Sequence, residues 1–295
     1  MHLVAWSCII IGPTQIKNKL AEDGYVVLHG FFHADVIDAV RGDLAGWIDR
    51  QANQLLADGV IDDLHEAEPF ETRWLRLVEG GAPRLKTIRE DLHTPALFGL
   101  FFSPQLLDIV EGVLGQEIRL YPNYTVRPKL PDDALTQVLW HQDAAYTASG
   151  QHGHDANAGT LTEDALRMVN VWSPLVPARP ENGCMQFVPG THKLGLVPHN
   201  DREHYLEISD GALKPQLERA IDVILDPGDV VLFSNLLFHM GQPNHSDSIR
   251  WSCDWRYQDA RQSTMRSETG HIARSPSDRS AEVKSPEAWA KLSFV

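Results

Sequence analysis

Apolar residues first recur at helical spacing over 35–57, where Val36, Ile37, Val40, Leu44, Trp47 and Ile48 fall on one face. That period predicts an amphipathic helix. A second helix is predicted over 103–115, with Ser103 at its start, Pro104 in its first turn and Gly115 at its end. From about Glu117 the pattern changes to short strand-forming runs separated by Gly, Pro and Asn. Such spacing predicts a mainly β fold with flanking α elements, a double-stranded β-helix or jelly roll over about 117–258 with the helices of 1–115 packed outside it. Residues 259–295 are expected to be peripheral, with a short helix over 286–290. The 295 residues are a length that barrels and sandwiches use as one domain, so 1–295 is expected to be a single domain.

Within that strand-rich part, candidate chemistry begins at Trp140-His141-Gln142-Asp143. A His-x-Asp triplet is weak evidence by itself, and the chain contains four of them, at His33, His141, His199 and His245. The first opens the helix over 35–57, where a short polar residue such as Asp35 caps exposed N–H groups. The third lies in a polar stretch expected to be a solvated loop, and the fourth in residues of turn composition. Only the second follows a predicted strand, over 135–140, which points His141 and Asp143 the same way by the two-residue period.

Downstream, residues 221–225 and 230–233 read as strands joined by the turn Pro227-Gly228-Asp229, and an apolar run then ends at His239. Arg250-Trp251-Ser252-Cys253-Asp254-Trp255-Arg256-Tyr257 alternates as a further strand, and a hairpin is expected to return Arg250 toward His239. Two imidazoles and one carboxylate suit one face of an octahedral iron, and an arginine fork suits a dicarboxylate beside it. Taken singly, His239 reads as a core histidine and Arg250 as a strand-end cation. The same ligands around zinc or manganese would serve a cupin-like hydrolase or isomerase, and the same scaffold without catalysis a binding protein.

These motifs, in this order, resemble the phytanoyl-CoA dioxygenase-like branch of the iron(II)- and 2-oxoglutarate-dependent oxygenases. Asp23-Gly24-Tyr25-Val26-Val27-Leu28 is similar to the family's opening strand, and Glu181-Asn182-Gly183-Cys184 through Pro189-Gly190-Thr191-His192 to its central stretch. The resemblance spans roughly Tyr25 to Tyr257. It implies that His141, Asp143 and His239 ligate Fe(II), that Arg250 binds the distal carboxylate of 2-oxoglutarate, that Trp172 lies beside that co-substrate and that Ser252 assists the arginine. It further implies that O2 is the oxidant, that succinate and CO2 are released, and that an aliphatic carbon of a small organic molecule is hydroxylated. Asp143 favours hydroxylation over halogenation, since related halogenases replace this carboxylate with a small residue. Two departures stand out. Gly241 occupies a position where some members have serine, and the nearest equivalent to a co-substrate lysine is Lys86.

Composition is that of an ordinary soluble chain, 43% hydrophobic and 22% charged. The formal charge of −14 argues against nucleic acid or an anionic membrane as partner, and makes a polyanionic CoA thioester a less attractive substrate. Cys8, Cys184 and Cys253 are too few and too widely spaced for a disulfide framework or zinc motif, which fits a reduced, cytoplasmic setting. The apolar residues 3–11 are too short to span a bilayer and are expected to be a buried strand or packed arm. Residues 149–162 are loop-like and expected to cover the site, with His152 and His154 read as solvated rather than as a second metal site. Arg73, Trp74, Tyr146, Trp255 and Arg256 are candidate substrate contacts.

Overall fold

In the computed structural model, which describes residues 12–85, 87–89, 91–148, 166–202 and 205–293, the front of the chain is helical as the apolar spacing predicts. α1 (Pro13–Asp23) leads into β1 (Tyr25–Leu28), and α2 (Ala34–Ala57), α3 (Phe70–Glu79), α4 (Pro95–Phe101) and α5 (Pro104–Leu114) follow. α5 starts and stops where the sequence indicates: the Ser103 hydroxyl accepts from the Leu106 amide, Pro104 begins the first turn, and Gly115 ends the helix at φ +94°. At the start of α2 the cap is His33 rather than Asp35, with the imidazole accepting from the Asp35 amide. Pro95–Leu114 is apolar and long enough to cross a membrane, but it is two helices broken at Phe102-Ser103 whose buried residues, Leu97, Phe101, Leu106 and Val110 among them, join the main core.

The strands that follow are β2 (Ile118–Leu120), β3 (Thr125–Lys129), β4 (Val138–His141), β5 (Met168–Pro174), β6 (Met185–Val188), β7 (His199–Arg202), β8 (Tyr205–Ile208), β9 (Ile221–Val223), β10 (Val230–Ser234), β11 (Phe238–Gly241), β12 (Arg250–Asp259) and β13 (His271–Arg274). Short helices α6 (Asp143–Ala148), α7 (Asp210–Leu213) and α8 (Pro286–Trp289) interrupt them. A large antiparallel sheet runs β1-β10-β5-β12-β2-β13, with β3 also paired to β12, and a smaller one runs β4-β11-β6-β9. The two form a jelly roll with the helices on the outer side of the large sheet, the mainly β class that the strand spacing predicts.

β12 shows how this architecture divides its chemistry. All ten of its residues are buried, yet they alternate. Trp251, Cys253, Trp255 and Tyr257 belong to the core shared with α2, α4 and α5, while Arg250, Ser252, Asp254 and Arg256 turn inward toward the small sheet. Alternation usually separates core from water. Here it separates an apolar layer from a polar interior.

Five expectations need correction. Residues 135–140 are not one strand: a 3-10 turn occupies Ala134–Thr136, because the Asp133 side chain accepts from the Leu135 amide and closes a turn before β4. The strand expected over 221–225 stops at Val223, with Leu225 making an isolated bridge to Ala178. β11 and β12 are not a hairpin, since the connection carries the chain from the small sheet to the large one, and Arg250 meets His239 across the interior. The third His-x-Asp stretch is solvent-facing as expected but is a strand rather than a loop, β7 pairing antiparallel with β8. The C-terminal segment also does more than lie at the periphery, since β13 extends the large sheet and Trp289 is buried in the main core.

Candidate active site

His141 and His239 are direct cross-strand partners on β4 and β11, which places both rings on one face, 4.0 Å apart by centroid. Each ring has its Nδ1 against the carbonyl two residues back, 2.7 Å from Leu139 O and 2.9 Å from Leu237 O. A carbonyl only accepts, so Nδ1 carries the proton and Nε2 presents its lone pair to the interior. Burial first, then the neighbouring His141, pushes His239 down to about 3, which keeps it neutral and available as a ligand. Asp143 opens α6 just past the end of β4. Its Oδ1 lies 3.4 Å from His141 Nε2 and 4.0 Å from His239 Nε2. One ligand atom from each residue lies within 4.8 Å of the others, and all three residues are buried.

The second oxygen of Asp143 is held from the opposite sheet. Arg256 donates to Oδ2 through Nε at 3.1 Å and Nη2 at 2.8 Å, and Asn170 donates to the same atom at 2.9 Å. Burial by itself raises the carboxyl, but Arg256 and the two imidazoles outweigh it and hold Asp143 well below the usual carboxylate range. It is therefore ionised, as a ligand must be.

At the other end of β12, Arg250 is only 4% exposed and, among the described residues, has no carboxylate within ion-pair distance. Its Nη1 donates to the Ser252 hydroxyl at 2.5 Å, its guanidinium lies 5.3 Å from the Trp172 ring centroid, and its Nε is buried without a partner. Burial pulls it down to about 10, so the charge persists at neutral pH. A buried cation without an anion costs several kcal/mol unless a ligand supplies one. His141, Asp143, His239, Trp172 and Arg250 all line one cavity, together with Arg127, Met185, Phe233, Met240, Asp254 and Arg256. A larger cavity between α1, α5 and β5 contains none of the three metal-type side chains.

Lys86 lies outside the described residues, as do 3–11, 149–162, His152 and His154. The lysine beside Arg250 is Lys129, its cross-strand partner on β3, with Nζ donating to Thr136 O at 2.9 Å and Gly241 O at 3.3 Å. A Cβ at Gly241 would come 3.5 Å from the lysine nitrogen, ordinary van der Waals contact, so this arrangement does not itself require glycine there. Of the expected substrate contacts, Arg256 lines the cavity but is committed to Asp143, and Tyr146 packs edge-on to His141 at 5.5 Å. Trp255 faces the helical core, Arg73 pairs with Asp49, and the Trp74 indole donates to Pro83 O. Among the other His-x-Asp triplets, His245 pairs with Asp132 at a turn. His199 accepts from the Gln142 amide at 3.3 Å, pinning the chain between the two ligand positions from the second layer. Sequence reasoning missed Asn170, Asp254, Lys129 and His199. Asn170 and Lys129 are polar residues inside strands, and that was the only available signal.

A family model described as phytanoyl-CoA dioxygenase matches residues 20–252. The chain belongs to the phytanoyl-CoA dioxygenase family. It is an iron(II)- and 2-oxoglutarate-dependent dioxygenase. The dioxygenase is 27% identical over 242 residues to the probable alpha-ketoglutarate-dependent hypophosphite dioxygenase of Stutzerimonas stutzeri, covering 78% of this chain and 73% of that one. It is 25% identical to phytanoyl-CoA dioxygenase domain-containing protein 1 of Mus musculus, over 81% and 87% of the two chains. In fold it is similar to the non-heme monooxygenase ThoJ, with TM-score 0.58, 20% identity and coverage of 92% and 88%. EctD from S. alaskensis with bound Fe has the same TM-score at 19% identity, over 85% and 79% of the two chains. The residues present fit the family's cofactor, because two imidazoles and one ionised carboxylate converge while an arginine with no carboxylate partner among the described residues lines the same cavity.

Proposed function

We propose that this dioxygenase hydroxylates an aliphatic carbon of a small organic metabolite, releasing succinate and CO2, with His141, Asp143 and His239 holding Fe(II) and Arg250, Ser252 and Trp172 holding 2-oxoglutarate. The observation that carries the reading is Arg250, a buried guanidinium with no carboxylate partner among the described residues, lining the cavity that the three metal-type side chains share. A hydrolase or isomerase built on the same ligands has no use for such a group, and a catalytically silent scaffold has no use for the ligands either. When bound, the metal supplies oxidative decarboxylation of the keto acid and activation of dioxygen toward a substrate C–H bond.

The chain's own residues supply positioning and charge. Arg250 offers two parallel donors to the far carboxylate, its fork held in plane by Ser252 and its face covered by Trp172. The Nδ1–H bonds to Leu139 and Leu237 fix the two imidazoles in the tautomer that coordinates. Phe233, Met185 and the Trp172 ring supply apolar wall that limits water in the cavity. Asp143 fills the position that a halide would need, which favours hydroxylation over halogenation. The reading takes residues 1–295 as one domain, because the helices and β12 share one core. Buried, unpaired Cys184 and Cys253 suit the reducing cytoplasm, and the charge of −14 disfavours nucleic acid as a partner.

Anaerobic addition of Fe(II) and 2-oxoglutarate to the purified protein tests this. A weak visible charge-transfer band is expected, lost in His141→Ala and weakened in Arg250→Ala. Under oxygen, a panel of small aliphatic metabolites is expected to include some that accelerate succinate release. No band, together with no succinate across the panel, would sink the reading.

A further inference from the structure

The second oxygen of Asp143 is fully occupied by other protein groups. Three N–H donors converge on Oδ2: Nε and Nη2 of Arg256 and the amide of Asn170. Arg256 and Asn170 are direct cross-strand partners on β12 and β5, so one rung of the large sheet presents all three donors together. Arg256 is itself clamped. Its Nη1 donates to Asn123 O at 2.9 Å and to Asp254 Oδ1 at 3.2 Å, and the other oxygen of Asp254 receives Arg127 Nε at 2.5 Å. Every nitrogen of the Arg256 guanidinium therefore has a partner, and the planar fork cannot turn away from Asp143 without breaking several bonds. Oδ1 receives none of the three donors and points toward the two imidazoles.

We propose that Arg256, with Asn170 beside it, is a positioning residue that confines Asp143 to a single coordination position by occupying its second oxygen. The proposal rests on the reading of His141, Asp143 and His239 as metal ligands. Its consequence is a count of positions. Three monodentate ligands leave three places on an octahedral ion, two for a chelating keto acid and one for dioxygen. A carboxylate free to rotate and chelate through both oxygens takes a fourth place and removes the last of these. Arg256 lines the cavity, yet both nitrogens of its Asp143-facing edge are committed to the carboxylate, so its role is exerted through Asp143 rather than on substrate.

Co(II) binding to metal-free protein, followed by its visible absorption and by calorimetry, tests the proposal without turnover. Wild type is expected to bind Co(II) and His141→Ala to bind it far more weakly; if those two do not differ, the metal reading itself has failed and Arg256 is not at issue. Arg256→Lys keeps the charge but loses the fork, and Arg256→Gln loses the charge. Both are expected to bind Co(II) about 10- to 100-fold more weakly, the usual cost of losing a group that orients a ligand, with an altered spectrum as the carboxylate is released. Folded Arg256→Lys with wild-type affinity and spectrum would overturn the proposal, showing that a positive charge suffices. Asn170→Ala removes one donor of three and is expected to lose a few-fold with a smaller spectral change. Should neither Arg256 variant fold, unchanged affinity and spectrum in Asn170→Ala overturns the proposal just as firmly.

Discussion

Lys129 shows how far a single side chain depends on what stands opposite it. Burial first, then Arg250 and Arg127, pulls its ammonium down to about 7 from an ordinary value of 10.5. Between those values the unfolded chain binds the proton and the native protein does not, so this residue makes stability rise with pH from about 7 to 10.5. A dianion arriving at Arg250 reverses the bias by favouring the charged amine. Binding of 2-oxoglutarate at pH 8 is therefore expected to take up a fraction of a proton, measurable by calorimetry in buffers of different ionisation enthalpy. Lys129→Met should abolish the uptake; an undiminished value would mean that another group is its source. At this scale the sequence is legible for residue type but not for pairing. His141 and Asp143 stand two residues apart and can be read together, whereas Arg256 meets Asp143 across 113 residues and looked like a group free for substrate. Asn170 and Asp254 were invisible for the same reason.

Among the elements, α2 was legible because its apolar stripe and exposed face obey one period. β12 was legible as a strand but not as a strand buried on both sides, since charged residues at every second position normally mean water. The connection between β11 and β12 misled for a different reason. Turn chemistry around Asn244, whose side chain bonds Ser248 O and the Ser246 amide, says that the chain reverses but not which sheet it rejoins. The division of β12 into two faces has a measurable counterpart in neighbouring residues. Trp255→Ala empties a fully buried site in the helical core and is expected to cost about 3–5 kcal/mol in denaturant unfolding. Its folded fraction should bind Co(II) within about twofold of wild type, since its packing is on the far side from the cavity. A loss of metal affinity as large as that expected for Arg256→Lys would contradict the separation of faces.

For the molecule as a whole, the jelly roll was legible from the rhythm of short strands, while the strand order was not, because pairing between distant segments leaves no local trace. The assembled order puts both histidines on the small sheet and the groups that hold Asp143 on the large one, so a bound metal joins the two. Saturating Co(II) or Fe(II) at about 100 times its dissociation constant is expected to stabilise the fold by about 2.7 kcal/mol, seen as a raised Tm that His239→Ala removes. An equal rise in that variant would place the stabilising ion elsewhere. The alternation along β12 also sets what kinds of change this chain can inherit. Arg250 and Arg256 are separated by about 20 Å of strand at roughly 3.3 Å per residue, and both must point inward. Point changes on the tryptophan side exchange one apolar shape for another, but the loss or gain of a single codon between them would rotate one arginine into the helical core and a tryptophan into the cavity. This stretch of gene is therefore constrained in its length as well as in its spelling.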